Sequence, residues 1–123
     1  MKRVYIVAII IASALLSQQC DRPDILDREG KLKIENTSSS NYITGVYYGT
    51  VGPGTENRLN RNIGPGESKT FTIDLEDDDV YDIKVTSDMV GFEEFTDDHH
   101  NFGWDETYII ELENDGWYTD SSW

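Results

Sequence analysis

Two adjacent histidines and the carboxylates around them are the residues in this chain best suited to binding a metal ion. His99 and His100 are the only histidines, and they directly follow Asp97 and Asp98. In an extended strand Asp97 and His99 would share one face, and Asp98 and His100 the other. Zinc takes three or four converging ligands, so the glutamates at positions 93–94 would have to complete a site. The alternative is a solvated polar loop.

A second group of carboxylates lies at residues 76–79, which read Glu-Asp-Asp-Asp, with Asp82 close behind. Oxygen ligands at this density are those that calcium prefers. The residue order of an EF-hand loop is absent, and the alternative is a solvated turn between two strands. No cofactor is expected other than Ca²⁺ or Zn²⁺ at one of these two segments.

Catalytic patterns are absent from the sequence. No serine stands in a Gly-x-Ser-x-Gly setting, and no glycine-rich phosphate loop occurs. Carboxylates are abundant, but an acidic surface predicts that abundance, so no single one is identified as a general acid or base. We therefore expect a protein that is not an enzyme, and a small hydrolase is the most distant alternative.

Aromatic residues crowd the C-terminal part of the chain, where residues 117–123 show no strand pattern. Aromatic faces beside carboxylates bind sugars or cationic side chains. The candidate binding residues are Trp104, Trp117, Tyr118 and Trp123. In the alternative, Trp104 belongs to the core and the C-terminal residues fold back over a sheet edge.

The first twenty residues indicate where the protein works. Two basic residues precede an uncharged apolar run at residues 4–16, which is shorter than the ~20 residues of a membrane-spanning helix. The run has the length of the hydrophobic region of a secretory signal. Cys20, the only cysteine, follows it, and the arrangement resembles a bacterial lipoprotein signal. The glutamines at positions 18–19 stand where that signal usually has small residues.

The resemblance implies that residues 1–19 are a signal peptide and that Cys20 carries a lipid such as palmitate. Two or more acyl chains give stable anchoring, so the protein would be anchored to a membrane of the bacterial cell envelope, in the periplasm or at the cell surface. Cleavage after Ala14 would instead give a secreted protein, because residues 12–14 have the small-x-small form that signal peptidase recognises. An uncleaved anchor is the remaining alternative.

The charge of the chain restricts its partners. The part after residue 19 contains eight basic and 24 acidic side chains, a net charge of −16. Such a surface repels nucleic acid and anionic headgroups. We therefore expect no nucleic-acid partner, and attachment to the membrane through the lipid on Cys20. A protein or a glycan is the expected ligand of the folded part, which has no internal disulfide because the chain has one cysteine.

Apolar and polar residues alternate through most of the chain after residue 29, and no helical periodicity is evident. Gly45 is a candidate β-bulge, and residues 64–67 predict a tight turn. The acidic residues 76–79 would join two strands in a hairpin. The alternation predicts strands at residues 31–36, 42–50, 68–75, 80–85, 90–96 and 107–112.

Strands of this number and spacing predict an all-β chain with a single small β-sandwich, of immunoglobulin-like type, after the signal peptide. The chain would divide into the signal peptide at 1–19, a lipid-anchored tether at 20–29, the sandwich at 30–116 and an aromatic C-terminal tail at 117–123. The predicted core contains Phe71, Ile73, Tyr81, Ile83, Val85, Tyr108 and Ile110.

A second resemblance rests on segments of the strand region, namely Ile34-Glu35-Asn36, Ser38-Ser39, Val46-Tyr47, residues 63–68, Phe71 and residues 81–85. Together they are similar to small uncharacterised β-domains of exported bacterial proteins. The resemblance implies the fold but no catalytic residue. We therefore expect a non-enzymatic cell-envelope lipoprotein whose sandwich is a binding or interaction module. The alternative is a calcium- or zinc-binding module that uses residues 97–100 or 76–79.

Overall fold

The computed structural model describes residues 28–123, which contain seven strands and no helix. The predicted signal peptide, Cys20 and the tether up to residue 27 lie outside the described residues. None of the described residues forms a helix long and apolar enough to cross a membrane. The strands are β1 (Glu29–Asn36), β2 (Ile43–Gly49), β3 (Ser68–Asp74), β4 (Val80–Ser87), β5 (Glu94–Asn101), β6 (Thr107–Glu113) and β7 (Gly116–Ser122).

The strands form two sheets. The larger sheet has the order β3–β1–β6–β7, in which β1 and β6 run parallel and the other neighbours run antiparallel. The smaller sheet has the order β2–β4–β5 and is antiparallel throughout. The sheets pack face to face because the interior strands direct alternate apolar side chains at the opposite sheet.

The core between the sheets confirms the predicted β-sandwich. Five of the seven predicted core residues are buried, and the other two, Phe71 and Tyr81, are half-buried against the core. Burial of one side chain of the size of valine, leucine or isoleucine stabilises the fold by roughly 1.5–3 kcal/mol. The buried members include Leu32, Ile34, Ile73, Tyr108 and Ile110 from the larger sheet and Val46, Ile83 and Val85 from the smaller sheet.

The strand order differs from that of immunoglobulin domains. In a constant-type immunoglobulin domain the first strand pairs with the second, whereas β1 here pairs with β3 and β6. The immunoglobulin-like refinement of the predicted fold is therefore not confirmed, while the all-β sandwich is.

Two predicted connections differ from the structure. The hairpin across residues 76–79 is wrong, because β3 pairs with β1 while β4 pairs with β2 and β5. Leu75 is buried at the start of this connection, and the chain crosses from one sheet to the other instead of turning back. The strand predicted at 90–96 begins only at Glu94 and runs to Asn101. Residues 97–100, for which a polar loop was one expectation, therefore lie in a strand.

The predicted C-terminal tail at 117–123 is also wrong. β7 pairs with β6 along its whole length and forms an edge of the larger sheet. Residues 114–115 are the two-residue turn of this hairpin. Gly116 has a φ of 135°, and a Cβ atom there would lie 2.9 Å from the Phe92 ring, so the position requires glycine.

Two local predictions are confirmed. In the turn at residues 64–67 the Glu67 N–H donates to the Gly64 carbonyl at 3.0 Å. Gly66 has a φ of 81°, as the third position of a type II turn requires. Near Gly45 the pairing of β2 with β4 shifts register, which is the predicted bulge.

The sandwich has an entry end, where the described chain begins, and a far end. At the entry end the Arg28 carbonyl accepts a hydrogen bond from the Leu75 N–H at 2.7 Å, and the Glu29 carbonyl accepts one from the Asp105 N–H at 3.2 Å. The entry end therefore holds residues 28–29, 75–79 and 102–106. The far end holds the loops at residues 37–42, 64–67, 88–93 and 114–115, which are hydrogen-bonded to one another or to the adjoining strand ends.

Candidate functional site

The histidine segment lies on β5, an edge strand of the smaller sheet. Two residues of β5, Asp98 and His99, stand opposite the single residue Asp82 of β4, and His99 has a φ of 67°. A β-bulge of this kind resets the alternation of side chains along a strand. The expected pairing of Asp97 with His99 is therefore wrong, because the bulge brings Asp97 and His100 together instead.

Asp82 is the carboxylate that holds the bulge. Its Oδ1 accepts the His99 backbone N–H at 2.8 Å and lies 2.8 Å from His99 Nδ1. Its Oδ2 accepts the Gly52 N–H at 2.8 Å. The backbone N–H groups, that of His99 first, hold the pKa of Asp82 below its usual value. Asp82 is thus engaged by β5 and the loop after β2, and not by the turn at 76–79 with which the calcium hypothesis groups it.

His100 lies at the centre of a polar cluster between the two sheets, formed by Asp97, His100, Glu106, Tyr108 and Ser121. His100 Nε2 is 3.1 Å from Glu106 Oε2, and its Nδ1 is 3.4 Å from Asp97 Oδ2. The imidazole stacks on the Tyr108 ring, with centroids 3.7 Å apart and planes inclined by 8°. The Tyr108 hydroxyl donates to Asp97 Oδ2 at 2.5 Å. The polar cluster therefore joins β5 of one sheet to β6 of the other.

Glu106 is the most buried carboxylate of the polar cluster, with 3% of its surface exposed. Its Oε1 accepts the Gly103 N–H at 2.8 Å. Its Oε2 accepts the Ser121 hydroxyl at 2.7 Å and also faces His100. Because Ser121 lies on β7, one carboxylate ties together the 102–106 turn, β5 and β7.

The polar cluster lacks the geometry of a nucleophilic triad. The Ser121 hydroxyl donates to Glu106 and not to the imidazole, and both ring nitrogens of His100 face carboxylates. A serine nucleophile needs a free imidazole nitrogen as its base. Burial, together with the bond to Asp97, raises the pKa of Tyr108 far above its usual value, so its phenol is neutral. The chemistry of the cluster is to fix two edge strands in place.

The four candidate metal ligands at residues 97–100 do not converge on one point. His99 pairs with Asp82, whereas Asp97 and His100 belong to the polar cluster, and Asp98 is exposed. The glutamate at position 93, expected to help, accepts the Gly91 N–H at 3.2 Å. Within residues 28–123, which include the acidic turn at 76–79, no three His, Cys, Asp or Glu side chains are grouped to hold a metal ion.

The four candidate aromatic residues lie at opposite ends of the sandwich. Trp104 and Trp123 are at the entry end, where the Trp123 Nε1 atom would be 3.3 Å from a Cβ atom at Gly103. The Arg28 guanidinium lies 5.1 Å from the centroid of the Trp104 ring. Trp104 is 56% exposed and Trp123 is 78% exposed. The alternative that Trp104 belongs to the core is therefore wrong.

Trp117 and Tyr118 stand at the start of β7, close to the far end. The Trp117 indole N–H donates to the Phe92 carbonyl at 3.0 Å, and its ring centroid lies 5.9 Å from that of Phe95 on β5. Trp117 thus covers the gap between two edge strands. Tyr118 is exposed, and the bond from its hydroxyl to the Asp115 carboxylate raises the pKa of Tyr118.

Hydrogen bonds between loops fix the far end. The Ser39 N–H donates to Asn114 Oδ1 at 2.8 Å, and the Tyr42 N–H donates to Asp88 Oδ1 at 2.9 Å. Sequence patterns miss this surface because Ser39 and Asn114 are 75 residues apart and meet only in the fold. In the sequence, this surface could have been recognised only from an apolar residue that stands alone among turn-forming residues. The exposed apolar side chains in the loops of the far end are Tyr42, Val90 and Phe92, and the exposed Tyr118 of β7 adjoins them.

Glu106 and Ser121 are also missed by the sequence analysis. Composition does not distinguish the buried Glu106 from the exposed Asp105 beside it. The sequence does contain a usable signal, because the alternation of inward and outward side chains extends one step before the strand predicted at residues 107–112. Glu106 has the same parity as Tyr108 and the other buried residues of β6, so an inward-facing carboxylate at 106 follows from the alternation.

A groove of about 530 Å³ lies between residues 59–63 and the start of β3. Its lining includes the apolar Ile63 and two cationic side chains, Arg61 and Lys69. Arg61 Nη2 is 3.9 Å from Glu67 Oε2, so one of the two cations already has a carboxylate partner.

Comparison with known proteins assigns this chain to no family. No family model matches it, and no curated protein is significantly similar to it. The chain is similar to the NMR structure of a protein from Eubacterium rectale, with 20% identity, 74% of this chain and 87% of that chain covered, and a TM-score of 0.47. It is also similar to the crystal structure of a Gram-negative toxin, with 12% identity, 78% of this chain and 23% of that chain covered, and a TM-score of 0.47. Neither likeness is strong enough to carry an argument about function.

Proposed function

We propose that this chain is a non-enzymatic lipoprotein of the bacterial cell envelope, whose sandwich is displayed from a lipid on Cys20 and binds a protein or glycan ligand at its far end. The observation that supports the proposal is the position of the chain's entry into the sandwich. The described chain begins at Arg28, at the entry end. The far end lies one strand length away, about 23 Å for a strand of seven residues. A ligand at the far end is therefore held clear of an anchor that precedes Arg28.

The far end is suited to binding because its loops are fixed before a ligand arrives. The hydrogen bonds from Ser39 to Asn114 and from Tyr42 to Asp88 tie three loops together. A surface that is already ordered loses less conformational entropy on binding. The Tyr118 hydroxyl donates to the Asp115 carboxylate at 3.0 Å, and the Tyr42 backbone N–H donates to that of Asp88, so aromatic residues and carboxylates are neighbours at this end. Rings beside carboxylates favour a sugar or a cationic side chain as the ligand.

A non-enzymatic role is supported by the polar cluster. The imidazole of His100 and the carboxylate of Glu106 are engaged with each other, and Glu106 also binds the Ser121 hydroxyl. Groups that satisfy one another in a structural joint are not available as a general base or a nucleophile. Burial and the bond to Asp97 raise the pKa of the Tyr108 phenol, away from neutral pH.

Labelling with a fatty acid tests the anchor. Cells that express the full chain should incorporate labelled palmitate into the wild type and not into Cys20→Ser, because Cys20 is the only thiol available for acylation. Immunoblots of both proteins control for their amounts. Removal of residues 1–20 should release the protein into the soluble fraction. Equal labelling of the two full-length proteins would overturn the lipid anchor.

Two matched valines test the binding surface. Val90 at the far end is 88% exposed, and Val51, in the loop after β2, is 94% exposed. In nitrogen–proton NMR spectra, a chitooligosaccharide or a lysine-rich peptide should shift the amide signals of residues 88–93. Val90→Asp should alter those shifts, whereas Val51→Asp should leave them as in the wild type. Absence of shifts with both probes, or equal effects of the two substitutions, would contradict binding at the far end.

A further inference from the structure

The entry end carries an exposed aromatic surface that the proposed ligand site does not use. Trp104 lies in the turn between β5 and β6, and Trp123 directly follows β7. Both are more than half exposed. Gly103 brings them together, because the Trp123 indole lies against Gly103 and Trp104 is the next residue. Two large aromatic side chains that project together from one end form an exposed apolar patch, and such patches mark contact sites.

The position of this surface relative to the anchor identifies its partner. The Arg28 guanidinium lies 5.1 Å from the Trp104 ring centroid, so the described chain begins directly beside the tryptophans. From Cys20 to Arg28 the chain has eight residue steps, which at ~3.3–3.6 Å each reach at most ~29 Å. A lipid on Cys20 therefore keeps Trp104 and Trp123 within reach of the bilayer surface.

We infer that Trp104 and Trp123 form a membrane-contacting surface, which seats the entry end in the headgroup region of the bilayer that holds the lipid anchor. The inference rests on the proposed attachment through Cys20. Tryptophan is enriched at membrane interfaces, because its ring is apolar and its N–H bonds to polar headgroups. Contact through two indoles would add to the lipid anchor and orient the sandwich with its far end away from the membrane.

The charge around the surface specifies the headgroup. Asp105 follows Trp104 directly, and the acidic residues 77–79 belong to the same end. Together these four carboxylates outnumber the Arg28 guanidinium beside Trp104 and repel anionic lipids, so the contact depends on the indole rings and favours zwitterionic headgroups. Anionic lipid at low ionic strength should weaken the contact, and added salt should restore it.

Brominated lipids test the contact, because a bromine atom quenches tryptophan emission only at close approach. The three tryptophans of the chain allow three single-tryptophan versions of the full lipoprotein: W117F/W123F, W104F/W117F and W104F/W123F. Each is reconstituted in phosphatidylcholine vesicles with bromine on the acyl carbons nearest the headgroup. Emission from Trp104 and from Trp123 should fall about twofold or more, as expected for indoles at the interface. Emission from Trp117, which is half-buried against Phe95 near the far end, should remain unchanged.

The Trp117-only variant also controls for folding, since its indole N–H is bonded to the Phe92 carbonyl only in the native sandwich. Equal quenching of all three tryptophans, or none at 104 and 123, would overturn the inference while leaving the anchor intact if the same preparation carries labelled palmitate. Trp104 and Trp123 could also become less accessible to solvent as the density of protein in unbrominated vesicles rises. That result would show a second copy of the chain on this surface and would overturn the inference. Absence of palmitate would overturn the proposed attachment and the membrane surface with it.

Discussion

Glu106 is the residue on which the polar cluster depends. Its carboxylate accepts the Gly103 N–H and the Ser121 hydroxyl and faces His100 Nε2. Because Glu106 is buried, water does not replace these interactions freely when the carboxylate is removed. The three partners come from the 102–106 turn, β7 and β5, so loss of the Glu106 carboxylate removes contacts from both sheets.

Glu106→Ala should lower the free energy of unfolding by ~1–3 kcal/mol, the cost of leaving buried donors without an acceptor. Glu106→Gln should cost less, because its amide oxygen still accepts one of the bonds. Urea unfolding followed by circular dichroism measures both. Glu94→Ala, at an exposed position of β5, is the control and should change stability by less than ~0.5 kcal/mol. An equal effect of Glu106→Ala and Glu94→Ala would contradict the role of Glu106.

Asp82 makes stability depend on acid pH. Backbone N–H groups of His99 and Gly52 hold its pKa below the usual value in the folded state. The ionised form therefore stabilises the fold at pH values above the unfolded pKa of ~4, and this contribution is lost as pH falls through the lower folded pKa. Between pH ~5 and ~2.5 the melting temperature of the wild type should fall more steeply than that of Asp82→Asn. Asp98→Asn, at an exposed neighbour, should keep the wild-type slope, and parallel curves for Asp82→Asn and the wild type would contradict the prediction.

Side-chain pairing in the histidine segment could not be predicted from alternation alone. The period of two assumes an uninterrupted strand, whereas two residues of β5 oppose Asp82. Nothing in Asp-Asp-His-His marks His99 as the residue with positive φ. The buried carboxylate at 106 is a different case, because its parity with Tyr108 was available in the sequence.

At the scale of the elements, the strands that were predicted correctly are those with apolar inward faces. β1 and β6 bury a residue at every second position, and each is paired on both sides in the larger sheet. β5 and β7 are edge strands whose inward residues include Asp97, His100 and Ser121. Hydrophobic alternation cannot reveal a strand whose inward side chains are polar and bonded to one another.

Ile83 of β4 tests the register of the smaller sheet. It is buried in the core, and Ile83→Ala should cost ~2–5 kcal/mol of unfolding free energy, through lost burial and the cavity left behind. Val90→Ala, at an exposed position of the far end, removes apolar atoms outside the core and should cost less than ~0.5 kcal/mol. Denaturant midpoints measure both. A loss below ~1 kcal/mol for Ile83→Ala would place its side chain on the solvent face.

At the scale of the whole molecule, repulsion between the acidic side chains is the dominant electrostatic feature. The chain carries 24 acidic and 10 basic side chains, and a net charge this far from zero opposes the compact state. Raising NaCl from ~10 mM to ~150 mM shortens the Debye length from ~30 Å to ~8 Å, so the melting temperature should rise. Differential scanning calorimetry of the protein without residues 1–20 measures the shift.

Calcium chloride at equal ionic strength is the control for that salt effect. Screening depends on ionic strength, so CaCl₂ and NaCl should raise the melting temperature by similar amounts, and removal of divalent ions by a chelator should have no effect. A rise of several degrees with CaCl₂ or with micromolar ZnCl₂ alone would show specific binding to the folded state. That outcome would favour the metal-binding alternative over the proposed function.

The fold class follows from the sequence because four strands alternate cleanly, but the strand order does not. The sequence predicts that β3 pairs with β4, because the two strands are consecutive and joined by a short acidic segment. The buried Leu75 is a reason for the crossing, since its side chain belongs to the core cluster between the sheets. Short-range patterns carry no information on a partner as distant as β6 is from β1.

The parallel pairing of β1 with β6 has a consequence for the order in which the chain can fold. The larger sheet has β1 and β6 as its central pair, and contacts such as that of Ser39 with Asn114 span 75 residues. Non-local pairing of this kind gives a high contact order and slow folding. Until β6 has been synthesised, β1 has only β3 beside it, and the sandwich cannot close. The export proposed above would benefit from this delay, because a chain crosses a membrane in an extended form and the early strands cannot lock into a finished domain before the last ones follow.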